Sequence, residues 1–184
     1  KYLLGQPITI NELIYVYRLH THSYYQKHGV VTREAYMIDD ALRIFRKHYG
    51  KTQLAEFGPV ALKDLREKMI SELDWSRKYL NKQVSRLRSM FKWAAAEEIL
   101  DASISLALDR LAGLKRGRTK ARETSPIRVV ADAIIEKTLP QLPDTVADMV
   151  RIQRLTSARP GEICSLAPGD IDRSDDVWIY RPVE

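Results

Sequence analysis

The most constraining feature of the sequence is residues 76–99, where apolar side chains recur with the period of an α-helix. They lie four, three, four and three residues apart, at Leu80, Val84, Leu87, Phe91 and Ala94. At about 100° per residue these positions fall within an arc of about 80°. Five cations fall on the opposite side: Lys78, Lys82, Arg86, Arg88 and Lys92. The pattern therefore predicts a long helix with one face in a core and one cationic face.

Caps and breakers divide the rest of the first two-thirds of the chain into further helices. Thr9 and Glu12 have the spacing of a capping box, and Gly29 is a typical stop after His28. Pro59 follows Gly58 and suits a first helical turn. The predicted helices cover residues 9–28, 32–50, 59–73 and 103–111.

The net charge of +6, from 30 basic and 24 acidic residues, is concentrated in two segments. Residues 110–128 contain seven basic residues and one acid, and residues 75–96 contain six basic residues and no acid. Such segments favour a polyanionic partner. A solvated helix face and a solvated linker explain the same charge without any partner.

Residues 113–126 have almost no apolar periodicity and predict a linker between two domains, at residues 1–112 and 127–184. We expect this linker to be mobile until a partner binds, because little apolar area is available to hold it. Its cations are Lys115, Arg116, Arg118, Lys120 and Arg122.

The second predicted domain contains helices at residues 128–138, 143–156 and 160–166, and then a turn. Residues 177–180 are four β-favouring residues and predict a strand. No partner strand is evident, so we expect this domain to be incomplete. Lys1 is not an initiator methionine, and we expect the chain to be a piece of a longer one.

Residues 155–166, with the sequence LTSARPGEICSL, followed by Asp170-Ile171-Asp172, resemble the first catalytic box of tyrosine recombinases, the phage integrase family. The family box has the form T-G-apolar-R-x-x-E-apolar-x-x-L with a later D-apolar pair. Ser157 stands where the family usually has glycine. Residues 86–94 also resemble the last long helix of the family's core-binding domain. The resemblance covers roughly residues 23–184.

The resemblance implies a mainly α fold: a helical, SAM-like core-binding bundle, a basic linker and a truncated α+β catalytic domain. The two domains of such proteins form a clamp on double-stranded DNA. A tyrosine attacks a phosphodiester and forms a 3′-phosphotyrosyl intermediate, without a cofactor or a metal. The implied partner is therefore duplex DNA, with homo-oligomers on DNA in the full-length protein, and with no membrane or small-molecule substrate.

The match makes Arg159 a ligand of the reacting phosphate and Glu162 the residue that orients it. The alternative from the residues alone is a surface i,i+3 ion pair, with Glu162 as an acid favoured near a helix N-terminus. The residues that we expect to contact DNA are Lys78, Lys82, Arg86, Arg88, Lys92, Lys115, Arg116, Arg118, Lys120 and Arg122.

Other parts of the family's catalytic set do not match this chain. None of the four histidines is followed by arginine three residues later, and none of the nine tyrosines matches the position of the nucleophile. Tyr180 lies in the predicted strand and is expected to be a packing residue. We therefore expect this chain to be inactive alone, as the DNA-binding fragment of an active recombinase. The alternatives are a DNA-binding accessory or regulatory protein without chemistry, and a helical protein with a basic surface only.

The single cysteine, Cys164, excludes an internal disulfide and indicates a reducing compartment. No apolar stretch approaches the roughly 18 residues of a membrane span. With a DNA partner, these features predict a cytoplasmic, nucleoid-associated protein of a prokaryote or a phage.

Overall fold

The computed structural model describes residues 7–181, and the chain divides into two units between Ser125 and Pro126. The predicted first domain ended at residue 112, whereas residues 113–125 group with the first unit. The ends of the two predicted domains, residues 1–6 and 182–184, lie outside the described residues.

The first unit consists of five helices, a short hairpin and a 3-10 turn at Leu54–Glu56, within the described residues. In chain order the regular elements are α1 (Ile10–Tyr24), β1 (Gln26–Lys27), β2 (Val30–Val31), α2 (Arg33–Tyr49), α3 (Pro59–Glu72), α4 (Arg77–Ala96) and α5 (Ala102–Asp109). The predicted capping box is present, since the Thr9 backbone N–H donates to Glu12 Oε2 at 2.7 Å. Thr32, Gly58 and Ser76 are likewise the N-caps of α2, α3 and α4.

The first helix ends four residues earlier than predicted. Residues 26–31 form an antiparallel hairpin, in which Gln26 pairs with Val31 and Lys27 with Val30. His28 and Gly29 connect the strands with φ values of 52° and 77°. Two consecutive residues with positive φ are the signature of a tight two-residue hairpin turn, which matches the twist of paired strands. The prediction of helix up to His28 is therefore wrong.

Helix α4 lies at the centre of the first unit and packs against α1, α2, α3 and α5. Its predicted apolar face is confirmed, because all five side chains are at least 94% buried: Leu80, Val84, Leu87, Phe91 and Ala94. Phe57 stacks on Phe91 with ring centroids 5.4 Å apart, and it meets Phe45 edge-on at 4.8 Å. The position of α4 decides which of its polar side chains face neighbours and which face solvent.

The second unit contains α6 (Asp132–Thr138), α7 (Asp144–Thr156), α8 (Pro160–Cys164), β3 (Ile171–Asp172) and β4 (Ile179–Tyr180). Strand β4 pairs with β3, with Ile171 opposite Tyr180 and Asp172 opposite Ile179. The prediction that this strand lacks a partner is therefore wrong. Its partner is Ile171–Asp172, within the Asp-Ile-Asp segment of the box, and a strand of two residues has no recognisable sequence pattern. No helix within residues 7–181 has the length and apolarity to cross a membrane.

Helix α7 is capped at its C-terminus by Ser157, whose φ of 56° lies in the left-handed region. Its N–H donates to the Gln153 carbonyl at 2.8 Å and closes the last turn. Glycine is the usual residue at such a cap because it has no Cβ to clash. This backbone conformation gives a physical reason for the glycine of the family box, and it makes serine a strained substitute.

We expect Ser157→Gly to raise the free energy of opening of the second unit by about 0.5–1 kcal/mol, because the relief of left-handed strain, about 1–2 kcal/mol, outweighs the stability lost when glycine adds entropy to the unfolded chain. Amide hydrogen exchange of α7 measures this change. Ser165→Gly is the matched control, because Ser165 also follows a helix of this unit but has a φ of −95°. An equal gain at both positions, or no gain at Ser157, contradicts the cap interpretation.

Candidate nucleic-acid interface and catalytic box

A polar stripe runs along the solvent side of α4. Its members are spaced four, three, four and three residues apart and are all exposed: Lys78, Lys82, Ser85, Ser89 and Lys92. Lys92 Nζ contacts Asp109 Oδ2 at 2.8 Å, near the end of α5. Lys78 and Lys82 have no acidic partner within 4 Å among the described residues. The start of the stripe therefore presents two ammonium groups to solvent.

Arg86, at the flank of this stripe, is bound inside the unit. Its Nε and Nη2 donate to the two carboxylate oxygens of Glu34, at 2.7 and 2.8 Å, and its side chain is only 14% exposed. The hydrogen bond from Arg86 is the main cause that lowers the pKa of Glu34, and the same bond raises the pKa of Arg86. Arg86, predicted to contact DNA, thus ties α4 to the start of α2.

On the other flank of α4, guanidinium groups bind the main chain that follows α5. Arg88 Nη1 donates to the carbonyls of Asp109 and Leu111, each at 3.2 Å. Arg66, a 93% buried residue of α3, donates from Nη1 to the Ala112 carbonyl at 2.8 Å. Side chains of two helices therefore fix the path of the chain as it leaves α5.

Asn81 and Arg77 continue this series along α4. Asn81 Nδ2 donates to the Leu114 carbonyl at 3.0 Å, and the Leu114 N–H donates to Asn81 Oδ1 at 2.8 Å. Arg77 donates to the Leu114 carbonyl at 3.2 Å and to both carboxylate oxygens of Glu123, at 2.6 and 3.2 Å. The Arg77 backbone N–H also donates to the Arg122 carbonyl at 2.8 Å.

Residues 114–123, which we call the basic loop, are therefore bound at both ends to the first two turns of α4. We call these ends the two stems of the loop, Leu114 at its start and Arg122-Glu123 at its end. The loop contains a turn in which the Arg118 N–H donates to the Lys115 carbonyl at 3.2 Å, with Gly117 at φ 70°. Ala121, within the loop, is 94% buried. The expectation of a mobile linker considered only apolar area, whereas side-chain hydrogen bonds to the backbone hold this segment in the structure.

The ten residues predicted to contact DNA separate into two sets in the structure. Four have intramolecular partners: Arg86, Arg88, Lys92 and, through Asp74 at 2.9 Å, Arg122. The other six are exposed and have no acidic partner within 4 Å in the described part of the chain: Lys78, Lys82, Lys115, Arg116, Arg118 and Lys120. We call these six residues the cationic surface. The stems of the basic loop bind Arg77 and Asn81, the sequence neighbours of Lys78 and Lys82. The four cations of the loop therefore lie at the same end of α4 as these two lysines.

Sequence reasoning missed the residues that hold the loop. In the sequence, Arg77 is only one of the six basic residues of segment 75–96, and no pattern marks Arg66 or Asn81 as a contact residue. Their partners are backbone groups 33 to 46 residues away in the sequence. Backbone acceptors are the same at every residue, so no residue pattern marks such a contact.

In the second unit, Arg159 is the N-cap of α8 and its side chain is 88% exposed. Glu162 binds it twice: Oε2 accepts the Arg159 backbone N–H at 2.8 Å, and Oε1 accepts Nη1 at 3.3 Å. Within residues 7–181 this is the one side-chain hydrogen bond of the guanidinium, so Nε and Nη2 remain able to bind an anion. The geometry fits both sequence interpretations, an ion pair one helical turn apart and a carboxylate that orients the arginine.

The hairpin of β3 and β4 is attached to α8 next to Arg159. The Tyr180 hydroxyl donates to the Glu162 carbonyl at 3.1 Å, and the Arg181 N–H donates to the Asp170 carbonyl at 3.0 Å. Tyr180 is half-buried and has the structural role expected of it. Among residues 7–181 no three His, Cys, Asp or Glu side chains group as metal ligands would.

Two solved structures are similar to the chain. One is a Tn1549 transposon integrase in complex with transposon right-end DNA, with a TM-score of 0.60 and 18% identity over 90% of this chain and 50% of that chain. The other is a lambda integrase dimer bound to a COC′ core site, with a TM-score of 0.64 and 16% identity over 95% of this chain and 62% of that chain. No protein-family model and no curated protein matches the sequence.

These likenesses show that the chain has the tyrosine recombinase fold, as expected from the resemblance of residues 155–166. The mainly helical class is confirmed by the same likenesses and by the helices described above. The chain spans 50% and 62% of the two integrase chains.

The Arg86–Glu34 pair predicts a pH-dependent contribution to stability. Since Arg86 lowers the pKa of Glu34, the pair stabilises the fold above the unfolded-state pKa, about 4.3, and this stabilisation is lost as the pH falls through the lower folded pKa. Glu34→Gln should cost about 1 kcal/mol at pH 7, a value at the low end because Glu34 is 42% exposed. The difference from wild type should vanish in acid.

Urea unfolding at several pH values measures this difference. Glu56→Gln is the control, because Glu56 is an exposed acid without an ion pair among the described residues, and its replacement should change stability by less than about 0.5 kcal/mol at pH 7. A Glu34→Gln difference that persists below pH 3 assigns the effect to packing and contradicts the ion-pair explanation.

Proposed function

We propose that this chain is the DNA-binding part, with the first portion of the catalytic domain, of a site-specific tyrosine recombinase that acts in DNA integration and recombination. The cationic surface carries the proposal. It brings six cations from two sequence-distant segments to one end of α4, in a chain that has the recombinase fold. Both integrases of similar fold are described in complex with DNA, which supports duplex DNA as the partner.

The chemistry of the surface suits a phosphate backbone better than it suits bases. Ammonium and guanidinium groups neutralise phosphates and release counterions, and this gives affinity without sequence selection. Ser85 continues the exposed stripe beyond Lys82 and adds a hydroxyl donor for phosphate oxygens, whereas the Ser89 hydroxyl donates to the Ser85 carbonyl at 3.1 Å. We therefore assign to α4 and the basic loop the role of positioning the protein on the duplex. Arg86 and Arg88 are assigned a role in stabilising the fold and no contact with DNA.

We assign Arg159 to the reacting phosphate and Glu162 to positioning Arg159. A guanidinium offers parallel N–H donors in a fixed fork, which match two phosphate oxygens. The Glu162 carboxylate accepts hydrogen bonds from both the backbone N–H and Nη1 of Arg159. These two contacts orient the guanidinium and leave its Nε and Nη2 groups for the phosphate. Preorganised donors act where charge develops in the transition state.

The other parts of the reaction belong to the proposal for the longer protein. There, a tyrosine would form the 3′-phosphotyrosyl link without a cofactor, and the protein would assemble as a homo-oligomer on DNA in the cytoplasm of a prokaryote or a phage-infected cell. Since this chain spans only 50% and 62% of the two integrases, we assign no cleavage to it alone. The alternative to be tested against this proposal is an accessory or regulatory protein that binds DNA and has no catalytic activity.

Lys78→Ala with Lys82→Ala should weaken duplex binding and lower the slope of log affinity against log salt by about two, because each phosphate contact contributes about 0.9. Fluorescence anisotropy at several salt concentrations measures both quantities. Lys51→Ala with Lys63→Ala removes the same charge from exposed positions outside α4 and should change the slope much less. If the two double variants change the affinity and the salt slope equally, binding depends on the net charge of the protein and not on this surface.

Arg159→Lys in the longer protein should nearly abolish the covalent protein–DNA product on a nicked suicide substrate, while DNA affinity stays close to wild type. Lysine keeps the charge and loses the fork, and one phosphate contact among many adds little to affinity. Arg151→Lys is the matched control, because Arg151 also forms an exposed i,i+3 ion pair, with Asp148 at 2.7 Å. A normal yield with Arg159→Lys would make Arg159 a surface ion pair and remove it from the catalytic set.

A further inference from the structure

The basic loop is held by polar side chains to an extent that its composition does not predict. Four of its ten residues are exposed cations without an acidic partner within 4 Å in the described part of the chain: Lys115, Arg116, Arg118 and Lys120. Like charges at this density repel one another and favour an expanded segment. The loop is nevertheless closed, and the closure depends on a few identifiable donors.

Asn81 binds the first stem as a neighbouring strand would. Its amide satisfies both backbone polar groups of Leu114, the carbonyl at 3.0 Å and the N–H at 2.8 Å. Such a two-way contact fixes the position and the direction of the backbone, which a single hydrogen bond does not. It holds the residue immediately before Lys115.

Arg77 joins the two stems to each other. One guanidinium nitrogen donates to the Leu114 carbonyl at the start of the loop, and two donate to Glu123 at its end. The hydrogen bond from Arg77 is the main cause that lowers the pKa of Glu123. The Arg77 side chain is 14% exposed, so its charge is used within the unit.

We infer that Arg77 and Asn81 are positioning residues that hold the basic loop in its DNA-binding shape before DNA arrives. Lys115, Arg116 and Arg118 then meet the duplex together with Lys78 and Lys82 as one preformed surface. The inference rests on the proposed function, and it names the residues that organise that site without contacting DNA.

Preorganisation has a measurable signature that differs from the loss of a contact. Removing a cation that binds phosphate lowers both the affinity and the salt slope. Removing a residue that holds the loop leaves all six cations of the cationic surface in place, so the affinity falls because the loop must be ordered on binding, and the slope stays the same. It also exposes the loop to proteases in the free protein.

The experiment compares Arg77→Met and Asn81→Ala with Arg86→Met. Arg86 is the matched control, since it is also a 14% exposed arginine of α4 bound to both oxygens of a glutamate, but its partner is on α2 and not in the loop. Duplex affinity is measured by anisotropy over a range of salt, and trypsin cleavage at residues 115–120 is followed in the DNA-free protein. Melting temperatures report the general destabilisation in each variant.

We expect Arg77→Met and Asn81→Ala each to weaken duplex binding about tenfold with an unchanged salt slope, and to speed loop cleavage in the free protein. Arg86→Met should lower the melting temperature while loop cleavage and DNA affinity stay close to wild type. Asn81→Asp keeps the acceptor for Leu114 N–H and loses the donor, so its cleavage rate should fall between those of wild type and Asn81→Ala. It also replaces Asn81→Ala if that variant fails to fold.

A salt slope that falls by about one in Arg77→Met would make Arg77 a phosphate contact and overturn the inference. Loop cleavage and affinity that stay at wild-type values in Asn81→Ala would overturn it as well. If the wild-type chain fails to bind duplex DNA at low salt, the proposed function fails instead. In that case the cleavage rates still report whether the two residues hold the loop.

Discussion

The first unit depends on the capture of main-chain carbonyls by side-chain donors of α3 and α4. The chain leaves α5 with no further helix or sheet of its own to satisfy its backbone groups, and buried or half-buried backbone groups must find partners. Along the chain from Asp109 to Leu114, these partners are Arg88, then Arg66, and then Asn81 together with Arg77. Because these donors lie on two helices of the core, the path of the basic loop is set by the core itself.

This arrangement divides the cations of α4 by their angle around the helix axis. Residues at the flanks, Arg77, Arg86 and Arg88, face neighbouring elements and bind carboxylates or carbonyls there. Residues on the outer line, Lys78 and Lys82, face only solvent. The division also follows side-chain chemistry, since arginine forms several directed hydrogen bonds when half-buried, whereas lysine is a compact, strongly hydrated charge.

The sequence predicted best where local physics decides the outcome. The buried face of α4 follows from periodicity, and the caps at Thr9 and Ser76 follow from short-range hydrogen bonds. The helices also begin after Thr32 and Gly58 as predicted, although neither makes a side-chain capping hydrogen bond. Predictions failed where the local structure depends on contacts with a second segment of the chain. The helix up to His28 is replaced by a hairpin, and β4 has a partner in the box. The basic loop is likewise bound by residues more than 30 positions away, which its own composition does not indicate. In the box, the resemblance pointed to Arg159 and Glu162, but the positive φ that makes Ser157 an unusual residue there required coordinates.

The contacts of the basic loop with α4 order this loop in the DNA-free protein. Amide hydrogen exchange at two positions measures this order: the Leu114 N–H, bound to Asn81 Oδ1, and the Arg77 N–H, bound to the Arg122 carbonyl. We expect both amides to exchange slowly without DNA, at rates close to those of the central turns of α4, and duplex DNA to change these rates little. Exchange at unfolded-chain rates without DNA, followed by strong protection on DNA binding, would instead show a loop that orders only on its partner.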